Sequence, residues 1–156
     1  MERYQHIVRF QMMGHTHDQY FSVTNSLTNP EKHINVAQIG PSVTTSAYKN
    51  PAYGLITVDK ETMLPTNYQI YAMDIEKANK YDAPLWDLSV DYKHDYDLDD
   101  IRPDAMYSLA ERVRTDRSFA GLYKYHMARK VGAPKEISAK EAKQIGCMLG
   151  TSEETE

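Results

Sequence analysis

The chain has 156 residues, 41% of them hydrophobic, and a formal net charge of −4; it is long enough for one ordinary domain or for part of a larger one. That balance excludes a generic nucleic-acid binder, because no basic stripe is available to neutralise phosphates: Arg112, Arg114 and Arg117 are diluted by Glu111 and Asp116. No run of about 18 apolar residues exists to form a transmembrane helix. The opening MERYQHIVRF carries charge without the apolar region of a signal peptide.

The first half reads as strands. His6–Met13 is apolar and β-compatible, Gln19–Asn25 alternates Tyr20 and Ser22 against Phe21 and Val23, and Ile34–Gly40 is a short apolar run closed by Gly-Pro-Ser. Tyr53–Asp59 and Thr66–Asp74 flank KETMLP and read as a hairpin. That makes about five strands before Asp74. The character then changes. A short helix is expected between Pro84 and Tyr96, carrying Leu85, Trp86, Leu88 and Tyr92. The acidic stretch Ser89–Asp100, with an exposed His94, is expected as a solvated connection. Pro103 opens a helix whose buried face is Met106, Leu109, Ala110 and Val113. Asp116 caps a second helix with Phe119, Leu122, Tyr123 and His126 inward, and Ser138 with Glu141 has the spacing of a capping box. His126 is read as a hydrogen-bonded core histidine and His33 as exposed. The fold class is therefore α+β, with strands over residues 1–74, helices over 75–150 and a frayed tail at 151–156. Twelve Tyr and eight Met against three Phe make the core adaptable and partly polar. One cysteine, Cys147, closes no internal disulfide.

The segment Gly14-His15-Thr16-His17 carries the clearest chemistry. On an extended backbone, side chains two apart project to one side with Cα atoms roughly 6–7 Å apart. That span is compatible with one histidine on each of two metal ions separated by about 3.5–4 Å. Gly14 would let the chain turn away from the strand, and Asp18 would support a ligand by hydrogen bonding. The competing reading is a surface turn that happens to hold two histidines. Thr44, Thr45 and Asn50 sit in the loop after the third strand, where loops collect around a site. Their alternative role is to stabilise the turn. His6 reads as an ordinary strand residue.

The four residues resemble the last metal-binding motif of the calcineurin-like metallophosphoesterases. The wider chain is similar to the acid sphingomyelinase-like phosphodiesterases. FQMMGHTHDQYF matches the motif and its flanks. IGPSVTTSAYKNPAYGLITVD resembles a Pro-Ser-x-Thr-Thr segment followed by Asn-Pro-x-Tyr and a strand. DAPLWDLSVDYKHDY and LAERVRTDRSFAGLYKYHMARK resemble the helical C-terminal region. The similarity runs from about Arg3 to about Lys130. It implies the C-terminal part of a metallophosphoesterase β-sandwich followed by a helical subdomain. It also implies two zinc ions, with His15 on one and His17 on the other, and a phosphodiester substrate such as a sphingolipid at a membrane surface. Thr45, Tyr48 and Asn50 are the implied substrate contacts. Animal sphingomyelinases carry an aromatic after the Thr pair. Ser46 stands there in this chain, and Tyr48 is the nearest aromatic partner for a choline ammonium. The family's other ligands, an Asp-x-His, a bridging Asp, an Asn-His pair and a further His, are absent. The chain is thus expected to be an incomplete, inactive C-terminal part of a larger hydrolase that is extracellular or lysosomal. The resemblance also implies a disulfide-linked C-terminal region, which a single cysteine does not provide. The alternative is a non-catalytic interaction or regulatory module that keeps the fold without the dinuclear centre.

Overall fold

A computed structural model describes residues 1–45 and 48–150. Among them are two three-stranded sheets and five α-helices. The strands are β1 (Gln11–Met13), β2 (Tyr20–Asn25), β3 (His33–Ile39), β4 (Ala52–Val58), β5 (Pro65–Ala72) and β6 (Asp87–Asp91). The helices are α1 (Ile75–Tyr81), α2 (Tyr92–Tyr96), α3 (Pro103–Thr115), α4 (Arg117–Met127) and α5 (Ala139–Gly150).

The first sheet has the order β1-β3-β2. Its centre, β3, is buried from Ile34 through Ile39, the polar Asn35 and Gln38 included. It pairs antiparallel with β2 and parallel with β1, placing Met13 opposite Ile39. Phe21 and Val23 of β2 point inward, following the alternation in the sequence. The strand expected from His6 begins only at Gln11. Glu2–Tyr4 form a single 3-10 turn, and the Tyr4 carbonyl accepts from the Ile7 and Val8 amides, both at 2.9 Å. These local bonds satisfy backbone groups that a longer strand would have to pair. His6 is exposed in that turn.

The second sheet has the order β4-β5-β6. β4 and β5 form the expected antiparallel hairpin. Its loop is organised by Asp59, whose Oδ1 accepts from the Thr62 amide at 2.7 Å and the Thr62 hydroxyl at 2.7 Å. Asp87–Asp91 corrects the expectation of a helix between Pro84 and Tyr96. It pairs with β5 in the register Gln69↔Asp91 and Ile70↔Val90. A free sheet edge offers ladder bonds that a one-turn amphipathic pattern cannot match. Only Tyr92–Tyr96 is helical, capped where the Asp91 carboxylate accepts from the His94 amide at 3.1 Å. Leu85, Trp86 and Leu88 are consequently exposed rather than buried. The acidic stretch is not a simple solvated connection, because Asp91 also receives Asn67 and Gln69 side-chain amides and Asp95 accepts from the Asp91 amide. His94 is exposed, as expected.

α3 and α4 follow the sequence closely. Met106, Leu109, Ala110 and Val113 are buried on α3, and Phe119, Tyr123 and His126 on α4; Leu122 is only half-buried. Asp116 Oδ1 accepts from the Phe119 amide at 3.0 Å. Ser138 Oγ accepts from the Glu141 amide at 3.2 Å, while the Glu141 carboxylate takes Lys124 Nζ at 2.6 Å. α5 packs along α3, and a Cβ on Gly146 would collide with the Arg114 backbone. One buried cluster unites both halves of the chain, from Phe21, Val36, Tyr68 and Val90 to Met106, Tyr123 and Leu149. Sheet pairing and core therefore both cross Asp74, where the sequence changes character. His33, expected to be exposed, is half-buried. Its ring stacks on Tyr107 at 3.8 Å, and its Nδ1 lies 2.8 Å from Asn25 Oδ1. No helix is long and apolar enough to cross a membrane, among the described residues.

Candidate metal and phosphodiester site

β1 and β3 run parallel, so their carboxyl ends lie side by side and the loops leaving them must meet. The Gly40 amide donates to the Met13 carbonyl at 2.8 Å, which fixes the two exits against each other. One loop carries His15 and His17, and the other carries Thr45, Tyr48 and Asn50. Parallel pairing is the physical reason that two segments separated in sequence converge.

His15, Thr16 and His17 are exposed. The extended backbone assumed for them is not what forms. The strand ends at Met13, and His15 and His17 adopt positive φ angles of 88° and 62°. Gly14 is not among the positive-φ residues, so the histidines themselves make the turn. His17 lies in the left-handed well that histidine sometimes visits, whereas His15 lies beyond it and is strained.

Asp18, expected to support a histidine, forms an ion pair with Lys49 of the second loop. Burial is the main cause that lowers the Lys49 ammonium below its ordinary value, followed by the nearby Arg129 charge. Arg129 is fully buried just beyond α4. Its Nη1 donates to the carbonyls of Ser42 at 2.8 Å and Asn50 at 2.6 Å. Its Nη2 donates to the His17 carbonyl and, at 3.2 Å, to the Ser42 hydroxyl. The sequence reading missed both Lys49 and Arg129. HMARK resembles an ordinary basic helix end, and nothing local reveals that this arginine turns inward.

The candidate substrate residues fall into two groups. Thr45 and Tyr48 are exposed, with Tyr48 95% exposed at a φ of 58°. Asn50 is engaged at both ends of its amide: Nδ2 donates to the Arg129 carbonyl at 3.2 Å, and Oδ1 accepts from the Ile75 amide at 3.2 Å. It braces the loop to α1 and to the end of α4. Ser46, and Ala47 between the two exposed candidates, lie outside the described residues.

Two imidazoles in one exposed turn match the nitrogen donors zinc prefers. Among the described residues, no group of three or more His, Cys, Asp or Glu is placed to hold a metal ion. The pair thus fits part of a ligand shell, which no further donors complete among the described residues.

Comparison with known proteins bears on that arrangement. Residues 23–144 match the acid sphingomyelin phosphodiesterase C-terminal region. The chain belongs to that family. It is 28% identical to sphingomyelin phosphodiesterase B of Dictyostelium discoideum, over 96% of this chain and 24% of the relative. It is 30% identical to sphingomyelin phosphodiesterase of Bos taurus, over 74% of this chain and 19% of the relative. It is 25% identical to the human cyclic GMP-AMP phosphodiesterase SMPDL3A, over 80% of this chain and 29% of the relative. The chain spans less than a third of the length of these relatives. Their names agree on phosphodiester hydrolysis and differ on the substrate.

Proposed function

We propose that the chain supplies the C-terminal ligand turn of a zinc-dependent phosphodiesterase, with His15 on one ion and His17 on the other. The observation carrying this reading is that the exposed His15–His17 turn is tied to the loop after β3, by Arg129 at the His17, Ser42 and Asn50 carbonyls and by the Asp18–Lys49 ion pair. When bound, zinc supplies the Lewis acidity that polarises a phosphodiester and activates water for attack. This chain's part is to present two imidazoles and to line the approach with Thr45 and the Tyr48 ring. An aromatic face suits a choline ammonium, so sphingomyelin is the substrate this reading favours over other phosphodiesters. An extracellular or lysosomal setting is part of the same proposal, and the family resemblance supports it. A catalytic zinc site usually keeps three protein ligands per ion, so the chain by itself is expected to be inactive.

The absence of a three-donor cluster among the described residues favours a second reading, a non-catalytic module that retains the fold. Zinc titration of the 15N-labelled chain, followed at the histidine imidazoles, separates the two. The metal reading expects His15 and His17 to respond together, with His15→Ala and His17→Ala each weakening binding. It also expects no turnover of a chromogenic phosphodiester with zinc present. Indifference of both imidazoles to zinc would favour the module. Turnover abolished by both substitutions would show that the chain completes its own site.

A further inference from the structure

We propose that Arg129 is a positioning residue whose buried guanidinium locks the His15–His17 turn onto the 42–50 loop and so sets the spacing of the two imidazoles. The inference rests on the metal reading above and extends it to a residue far away in sequence.

Three observations carry it. First, Arg129 is fully buried, yet its four hydrogen bonds end on neutral oxygens of three residues rather than on a carboxylate. Burying a cation without a paired anion is costly, and an apolar side chain of similar volume often serves stability equally well. What an arginine adds is geometry. Second, the fork divides its work. Nη1 holds the Ser42 and Asn50 carbonyls, and Nη2 holds the His17 carbonyl and the Ser42 hydroxyl. A lysine has one nitrogen and cannot span both pairs. Third, the segment it grips is strained, with His15 at φ 88° and His17 at φ 62°. Such conformations persist only where surrounding structure over-determines them. Arg129 supplies that constraint at the carbonyl of the second histidine, and the Asp18–Lys49 ion pair ties the same two loops at the next residue. The Arg129 backbone is itself left-handed, at φ 55°, which turns the side chain off the end of α4.

The test uses the 156-residue chain and zinc itself. Zinc affinity is read by NMR at the His15 and His17 imidazoles, alongside backbone amide shifts and thermal unfolding, for wild type, Arg129→Lys and Ser42→Ala. Outer contacts of this kind typically change metal affinity about 10- to 100-fold. Arg129→Lys is therefore expected to weaken zinc at least about 10-fold. Amides of residues 14–18 should shift and broaden while the β4–β5 hairpin stays as in wild type. A folded Arg129→Lys variant that binds zinc like wild type overturns the proposal. If that variant does not fold, Ser42→Ala decides. It removes one of the four bonds and should weaken zinc while shifting the His17 amide, and an unchanged affinity overturns the idea. A wild-type chain that ignores zinc refutes the metal reading instead. The positioning role then stands if the amides at 14–18 move in Arg129→Lys, and falls if they do not.

Discussion

The Tyr96 hydroxyl lies 3.0 Å from Nδ1 of His126 inside the aromatic core. The imidazole is nearly enclosed, and Phe119 and Tyr123 pack edge-on or tilted against the same Tyr96 ring. A neutral imidazole is accommodated there and an imidazolium is not. Burial above all, with a smaller push from Lys130 and an opposing pull from Asp95, takes His126 down to about 4.

This arrangement makes stability depend on pH in a defined window. The unfolded chain protonates this imidazole near its ordinary value of 6.5, and the folded chain only near 4. Between these values the unfolded state holds more protons, so stability falls as pH drops from 6.5 and levels off below about 4. The full loss is up to about 3 kcal/mol, at about 1.4 kcal/mol per pH unit. Urea midpoints for wild type and His126→Gln at pH 7 and pH 4.5 check it. Wild type should lose more across that interval, and parallel losses would show that His126 titrates normally.

Trp86 is expected to contribute little. It is 39% exposed and rests on the Tyr53 ring at 5.3 Å. A fully buried tryptophan would cost about 3–5 kcal/mol on truncation to alanine. Here one surface ring contact is lost, worth about 0.5–1.5 kcal/mol beyond the area that remains covered. Denaturant unfolding of Trp86→Ala reads the difference, and a loss above about 3 kcal/mol would place the side chain in the core.

Gly146 should be intolerant of any side chain. A Cβ there meets Arg114 Cα and N at 2.7 and 2.8 Å, backbone that cannot swing aside. Gly146→Ala is expected to cost about 1–3 kcal/mol through forced separation of α3 and α5, despite alanine's better helix propensity. A stabilised variant would mean that the two helices lie farther apart.

Removing the Asp116 cap should cost about 1 kcal/mol. The carboxylate accepts from the Phe119 amide, and Asp116→Ala leaves that donor without its side-chain partner. Asp116→Asn should retain most of the stability, because the amide oxygen still accepts. Equal losses in the two variants would point to charge rather than hydrogen bonding.

Among the described residues β1 is an edge strand paired only with β3, and Met12 and Met13 on it are 53% and 49% exposed. Such an edge templates further pairing. Concentration-dependent self-association is expected in sedimentation velocity, and Met12→Lys should suppress it. Equal association of the two proteins would place the contact elsewhere.

The sequence by itself determined the elements whose signals are local. The strand at β3 follows from its short, mostly apolar run, and the inward faces of α3 and α4 from a helical period held over several turns. The starts at Pro103 and Asp116 follow from the chemistry of helix ends. The Gly-His-Thr-His segment stands out as a local motif, whereas its turned backbone was not legible. Tertiary structure decided the rest. β5 offered Asp87–Asp91 a free edge, and ladder bonds outweighed a short helical pattern, leaving Trp86 outside. The positive-φ turn at His15 and His17 is gripped at the His17 carbonyl by Arg129, 112 residues away. The meeting of that turn with Ser42, Lys49 and Asn50 of the loop after β3 depends on β1 lying parallel to β3. Sequence periodicity reports which face of a segment is apolar, but which distant donor reaches a given carbonyl is fixed only when the chain has packed.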